Sequence, residues 1–291
     1  MSFRNTQELA VRYGLRVAAS ASIVVVFLIF LFLLKEAAPF VRTPGLSHLL
    51  NARWNPTSLQ EVSYGVLPLV TGSVLVTLMA TLISIPFGVF GAVYIAELAG
   101  PKEQEFLKPI IELVAAIPSV VLGFFGLIVI APFLRQLFDL QNGLTALTGA
   151  LVLALMAVPT IITISEDAIR SVPMSYKEAS MAMGANRIQT IWRVTVPAAM
   201  SGIIASIMLG MGRVIGETMA VIMLTGNAAL TTFSPISPVR TMTATIAAEM
   251  GEIVFGSEHY QALFWVGILL LCSTFILNVI ALRVLKSYQR L

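Results

Sequence analysis

Charge is scarce in this sequence. Asp, Glu, Lys and Arg make up 11% of its residues, against about 25% in soluble domains. Hydrophobic residues make up 57%, and the mean hydropathy is +0.90. This excludes a globular domain folding in water and places the chain in a membrane. Cysteine is nearly absent: Cys272 stands alone, so no disulfide forms within the chain and no thiolate metal site can be built. It reads as a small apolar filler. The two histidines, His48 and His259, fall in loops and read as surface decoration. No G-x-x-x-x-G-K stretch exists to cradle a nucleotide phosphate. No spaced His, Asp or Ser constellation marks an enzyme. The net charge of +3 calls for no nucleic-acid partner.

What is present is apolar length. A spanning helix needs roughly 20 apolar residues. Six runs qualify, at 17–34, 66–96, 109–134, 144–164, 197–225 and 262–282. None alternates as a barrel strand does. The expectation is an all-α, polytopic membrane protein with six transmembrane helices. Lys35-Glu36 follows the first run where a cleavage site would stand, so that run is no cleavable signal. Alternating the spans from a cytoplasmic N-terminus puts Arg4, Arg12, Arg16, Lys102, Lys108, Arg170, Lys177, Arg187, Arg193, Arg283, Lys286 and Arg290 on the cytoplasmic side. The other side receives Lys35, Arg42, Arg53, Arg135 and Arg240. The excess predicts both termini in the cytoplasm.

Segment 1–16 is mildly amphipathic and reads as an interfacial stretch. Residues 1–65 then comprise this segment, the first span and the first external loop, and 66–291 the core. Loops 35–65 and 226–260 are expected to face outward, with Trp54 and Glu249 within reach of an external partner. A short helix is expected near 241–254. Pro86, Pro118, Pro132 and Pro159 interrupt spans, each freeing a carbonyl that something else must satisfy. In AAIPSVVLGFFG (115–126), Pro118 and Ser119 either line a pathway or merely bend a helix.

The segment 178–197 reads EASMAMGANRIQTIWRVTVP. Glu178, Ala179 and Ser180 are followed after three residues by Gly184. Nine more residues lead to Val194, and then come Val196 and Pro197. This resembles the EAA motif of importer permeases of the ATP-binding-cassette (ABC) class, with Ser180 for the second Ala, Val194 for Ile and Val196 for Leu. Small side chains at 179, 180 and 182 allow close seating in a partner's groove. Gly184 can turn the chain between two short helices. Arg187 and Arg193 can clasp an acidic rim or lipid headgroups. The alternative is a surface amphipathic helix that only ties two spans together.

Arg213 and Glu217 stand four residues apart in a stretch, 197–225, otherwise free of charge. An uncompensated charge in mid-membrane costs about 2.5–3.5 kcal/mol on insertion scales. Residues at i and i+4 meet on one helix face, but Arg before Glu is the weaker order. The pair either locks this span to a neighbour or serves an anion. Gly202, Ser206 and Gly210 form one small-residue stripe, and Gly212 and Gly216 another, so the span packs closely. The guanidinium fork matches two oxygens of a tetrahedral oxyanion. Glu217 would hold the fork and accept a proton-mediated bond from a protonated phosphate.

These stretches carry a family resemblance. YGVLPLVTGSVLVT (64–77), ELVAAIPSVVLGFFGLIVIAPF (112–133) and GRVIGETMAV (212–221) resemble those of PstC-type permease subunits of the high-affinity phosphate importer. The likeness runs from about Tyr64 to the C-terminus. It implies the type I ABC importer permease fold and a heterodimer with a PstA-type permease. It also implies two copies of a PstB-type ATPase and a PstS-type phosphate-binding protein. ATP and Mg would be used by the ATPase, and this chain would hold no cofactor. The substrate path would include Arg213, Glu217, Thr218, Pro118 and Ser119. Glu178, Ala179, Ser180, Gly184 and Arg187 would couple to the ATPase through the cytoplasmic loop 165–196. Transport of molybdate, sulfate or tungstate, and a proton-coupled carrier, are the competing readings.

Overall fold

The computed structural model describes residues 2–58 and 61–288. Helix α1, Ser2–Ala37, is unbroken and about 54 Å long at 1.5 Å per residue. The stretch 2–16 is helical. It continues straight into the first span. Two 3₁₀ turns, Ala38–Val41 and Leu46–Leu50, follow. A two-stranded antiparallel ribbon comes next, β1 Trp54–Asn55 and β2 Ser63–Tyr64, with Trp54 opposite Tyr64.

Helix α2, Leu67–Val93, continues through Pro86 and closes in a wide π turn, Tyr94–Leu98. Helix α3, Pro101–Ala116, carries no buried residue. The third span comprises α4 Ser119–Phe125, a π turn Gly126–Ile130 and α5 Ala131–Leu137. The expected run 109–134 is therefore two helices. Proline disfavours helical backbone in the residue before it, and Ile117 is extended at ψ 127°. Helix α3 ends there, and Glu112 lies outside the span.

Helix α6, Ala146–Arg170, is the bundle's centre, with 61% of its most apolar stretch buried against none for α1. Helices α7 Met174–Ala182 and α8 Arg187–Thr190 form the next connection. A π turn, Ile191–Thr195, and α9 Val196–Ala198 lead into α10 Met200–Gly216. Then come α11 Met219–Leu224, α12 Met242–Glu249 and α13 Glu258–Tyr288. Among the described residues, five helices are each long and apolar enough to span. The sixth is α10, taken with the Arg187–Ala198 segment from which it bends by 68°.

Small residues set the spacing of the core. A Cβ on Gly202 would lie 2.3 Å from the Ala168 Cβ, and one on Gly210 would lie 2.9 Å from Ile161. The Ser165 and Ser206 hydroxyls meet at 2.6 Å between these contacts. The first small-residue stripe is thus the seam between α10 and α6. Val76, Leu153, Ile161 and Leu224 fill the core they enclose. A second cluster, with Phe40, Trp54, Tyr64, Met242 and Leu263, seats the first loop and α12 on one end of the bundle. Helix α1 leans on α13 through Phe32 and Phe264, and Trp265 donates to the Ala37 carbonyl at 2.9 Å.

Candidate functional site

The chain breaks after α10 and again before α4, and the short helices that follow the two breaks pack together. Helix α10 stops at Gly216, and Glu217 is extended, with φ −72° and ψ 133°. Its carboxylate turns forward and accepts from the N–H groups of Met219 (3.1 Å) and Ala220 (3.2 Å). These are orphan donors at the start of α11, where negative charge is favoured. The Glu217 carbonyl, freed by the break, accepts from the Thr243 hydroxyl at 3.0 Å. Thr218 donates to the Gly216 carbonyl at 3.4 Å. The other break is Ile117-Pro118. Gly123 of α4 meets Ala220 of α11, where an added Cβ would lie 3.2 Å from the Ala220 Cα. Pro118 is exposed and Ser119 half-buried.

Arg213 and Glu217, both among the described residues, form no ion pair with each other. Arg213 donates instead to the Thr160 hydroxyl on α6 at 3.3 Å. The expected i, i+4 contact requires helix through residue 217, and the helix ends one residue too early. Arg213 is exposed in the single chain. So are the positions above Gly212 and Gly216, where nothing lies within 4 Å. One stripe of α10 therefore packs on α6, while the other, beside Arg213, is left open.

Above the break α12 packs on α2. Ser73 of α2 accepts from the Met242 N–H at 2.9 Å. The void between Ser73, Thr77, Glu217, Thr241 and Thr243 is only about 10 Å³, the room of one water. At the opposite end a cavity of about 250 Å³ opens between α3 and α6, lined by Lys108, Glu112, Thr163 and Glu166. Glu166 is buried and pairs with Lys108 at 3.0 Å and with Arg170.

The 171–199 connection lies at this opposite end. Gly184 has φ +90°, a conformation that favours glycine, with open space around it. Glu178 and Ala179 are exposed, and the Ser180 hydroxyl meets Thr190 at 3.0 Å, closing α7 onto α8. Met183 is 90% exposed and Ile188 63%. Met174 and Tyr176 of α7 are exposed as well. Among the described residues no carboxylate pairs with Arg187. It donates to the Glu97 backbone carbonyl, while Lys177 pairs with the Glu97 carboxylate at 2.5 Å.

Beside α12, Glu249 gathers three partners. Trp54 donates to both its oxygens at 3.1 Å, Arg240 lies at 2.8 Å and His259 at 2.7 Å. His259 is therefore part of a packed network, not surface decoration. Trp54 is 5% exposed and poorly placed to reach an external protein. His48 is exposed as expected. The Tyr64 hydroxyl pKa is pushed above its ordinary value, first by burial and then by the negative charge of Glu258.

Sequence reading missed Thr160, Thr243, Glu97 and Lys177. A lone threonine among apolar residues carries no signal of what faces it. Glu97 had one, being an acid just past a long apolar run.

The family model described as binding-protein-dependent transport system inner membrane component matches residues 84–290. A probable ABC transporter permease, YqgH of Bacillus subtilis, is 40% identical over 245 residues, 84% of this chain and 79% of that protein. The phosphate transport system permease protein PstC of Mesorhizobium japonicum is 34% identical over 258 residues, 82% and 78% of the two chains. Among solved structures, a bacterial alginate ABC transporter chain aligns with a TM-score of 0.64 at 17% identity, covering 93% of each chain. The MetNI methionine transporter aligns at 0.57 and 20% identity, covering 77% of this chain and 94% of that one. These two share the fold, that of type I ABC importer permeases. The chain is thus a multi-pass plasma membrane protein of the binding-protein-dependent transport system inner membrane component family, and within it an ABC permease subunit of the PstC type.

Proposed function

We propose that this chain is one half of the translocation unit of an ATP-driven phosphate importer, with both termini in the cytoplasm. The observation that carries the reading is Arg213. It stands on the open, glycine-lined face of α10, and among the described residues no carboxylate pairs with it. Its fork is available to two oxygens of a tetrahedral anion. A bound anion would offset the cost of a cation held in the membrane. The open face fits a PstA-type permease, so that the path runs between two chains. Thr218, Pro118 and Ser119 belong to the two breaks beside it. Glu217 contributes by holding the break, not by balancing Arg213.

The remaining parts follow from the ends of the bundle. The exposed Met183, Ile188 and Ala179 surface suits docking on a PstB-type ATPase, two copies serving the two permeases. Glu178, Ser180, Gly184 and Arg187 shape and anchor that surface. ATP and Mg would be used there, in the partner chain. The opposite end, closed by α12, would receive phosphate from a PstS-type protein. Residues 66–291 serve as the permease core, with 1–65 added to it.

The test is uptake of radiolabelled phosphate by proteoliposomes holding the whole complex and ATP, with molybdate and sulfate as competitors. Arg213→Lys should transport nearly as poorly as Arg213→Gln, with the complex assembled. Uptake of molybdate or sulfate in preference to phosphate would replace the substrate assignment. Uptake without ATP would favour a carrier and remove the proposal.

A further inference from the structure

Helix α2 ends unusually. Its π turn, Tyr94–Leu98, is wider than an α turn, and such turns concentrate at functional sites. The carbonyls around that turn are taken from outside. Gln104 of α3 donates to Ile95 and to Ala99, both at 3.0 Å, and Arg187 of α8 donates to Glu97. The Glu97 side chain takes Lys177 of α7 at 2.5 Å, and the two side chains are only 11% and 16% exposed. Helices α7 and α8 of the 171–199 connection thus both grip one residue at the end of one span.

The other end of α2 is gripped as well. Ser73 accepts from the Met242 N–H at the start of α12. A Cβ on Gly72 would lie 2.3 Å from the Arg240 carbonyl, so α2 lies directly against the chain entering α12. Helix α12 in turn holds the Glu217 break through Thr243. From Ser73 to Glu97 the chain is helical throughout, over about 36 Å, passing through Pro86 and into the π turn.

We infer that Glu97 is the positioning residue through which the 171–199 connection moves α2, and that α2 carries the movement to the closure made by α12. A shift of α7 and α8 cannot leave Glu97 behind without breaking a mostly buried ion pair, which is costly. Helix α2 then displaces Ser73, loosening the Met242 contact and the water-sized closure over Glu217. The inference rests on the reading of this connection as the ATPase-docking loop.

The experiment uses the whole complex in proteoliposomes, with Cys272→Ala as background. An Ala179→Cys crosslink to the ATPase tests the docking reading. Phosphate translocated per ATP hydrolysed tests the inference. Glu97→Gln and Lys177→Gln should each keep the crosslink and lower the ratio by about fivefold or more. The exchanged pair, Glu97→Lys with Lys177→Glu, should recover most of it. A merely structural role would reduce retained ATPase and uptake together and leave the ratio unchanged. An unchanged ratio in either single variant, or no recovery in the exchanged pair, overturns the inference. If Glu97→Gln fails to reach the membrane, Lys177→Gln alone decides, because Lys177 lies on the connection. Absence of the Ala179→Cys crosslink in the otherwise native complex overturns the docking reading instead.

Discussion

The Arg213 guanidinium donates to the Thr160 hydroxyl across 3.3 Å, joining α10 to α6 one residue beyond Pro159. The bond restrains the fork but leaves its charge unbalanced. Thr160→Val should therefore weaken phosphate affinity by about fivefold, the value of one hydrogen bond of roughly 1 kcal/mol. Thr160→Ser keeps the hydroxyl and should stay near the native value. Phosphate binding by the complex in detergent measures this. Equal affinity of the Val variant would remove Thr160 from the site.

Arg213 and Glu217 should act independently. Glu217→Gln retains an oxygen for the α11 N–H groups and should transport well. Glu217→Ala loses that cap, at about 1 kcal/mol. Arg213→Gln should leave only a slow, measurable uptake, and adding Glu217→Gln should restore nothing. The double-mutant cycle in uptake rate should close within about 0.5 kcal/mol. Rescue in the double variant would mean that the two charges pair after all.

Gly184 matters for its backbone, not its volume. Its φ is +90°, and open space surrounds it. Gly184→Asn should dock the ATPase better than Gly184→Val, because asparagine tolerates positive φ and a β-branched residue does not. Co-purification of the ATPase with each variant gives the order. The reverse order would place a steric contact at this position.

The seam between α10 and α6 depends on hydrogen in place of methyl. Gly202→Val should lower the melting temperature of the detergent-solubilised chain, at an overpacking cost of about 1–3 kcal/mol. Gly202→Ala should fall less, and adding Ala168→Gly should restore it, since the added Cβ meets that of Ala168. No restoration would show that the two helices are held apart by something else.

Glu249→Ala should destabilise the α12 end by about 3 kcal/mol, because Arg240 would be left mostly buried without its partner. Protease sensitivity of loop 226–257 in intact membranes reports the loss. Glu249→Gln should be intermediate, as it keeps an acceptor for Trp54. Equal resistance of the Ala variant would show the network to be dispensable.

The class of this protein was legible from composition, because scarce charge and six long apolar runs have one solvent in common. The turn at Gly184 was legible because its spacing from Glu178 is local, and a glycine there permits one backbone conformation that other residues resist. The stripe Gly202, Ser206 and Gly210 was legible because helical periodicity alone puts those residues on one face. Tertiary structure decided what lies opposite each of them. It gave Arg213 to Thr160, fifty-three positions away. It gave Glu217 to the α11 N–H groups, because α10 ends at Gly216 and the extended backbone at Glu217 takes its carboxylate out of the i, i+4 position facing Arg213. It gave Glu97 to Lys177 and Arg187, and Trp54 to Glu249. Apolar periodicity says which face of a helix turns inward. It does not say which helix it meets there, so partners for polar groups inside a membrane bundle emerge only once the helices are packed.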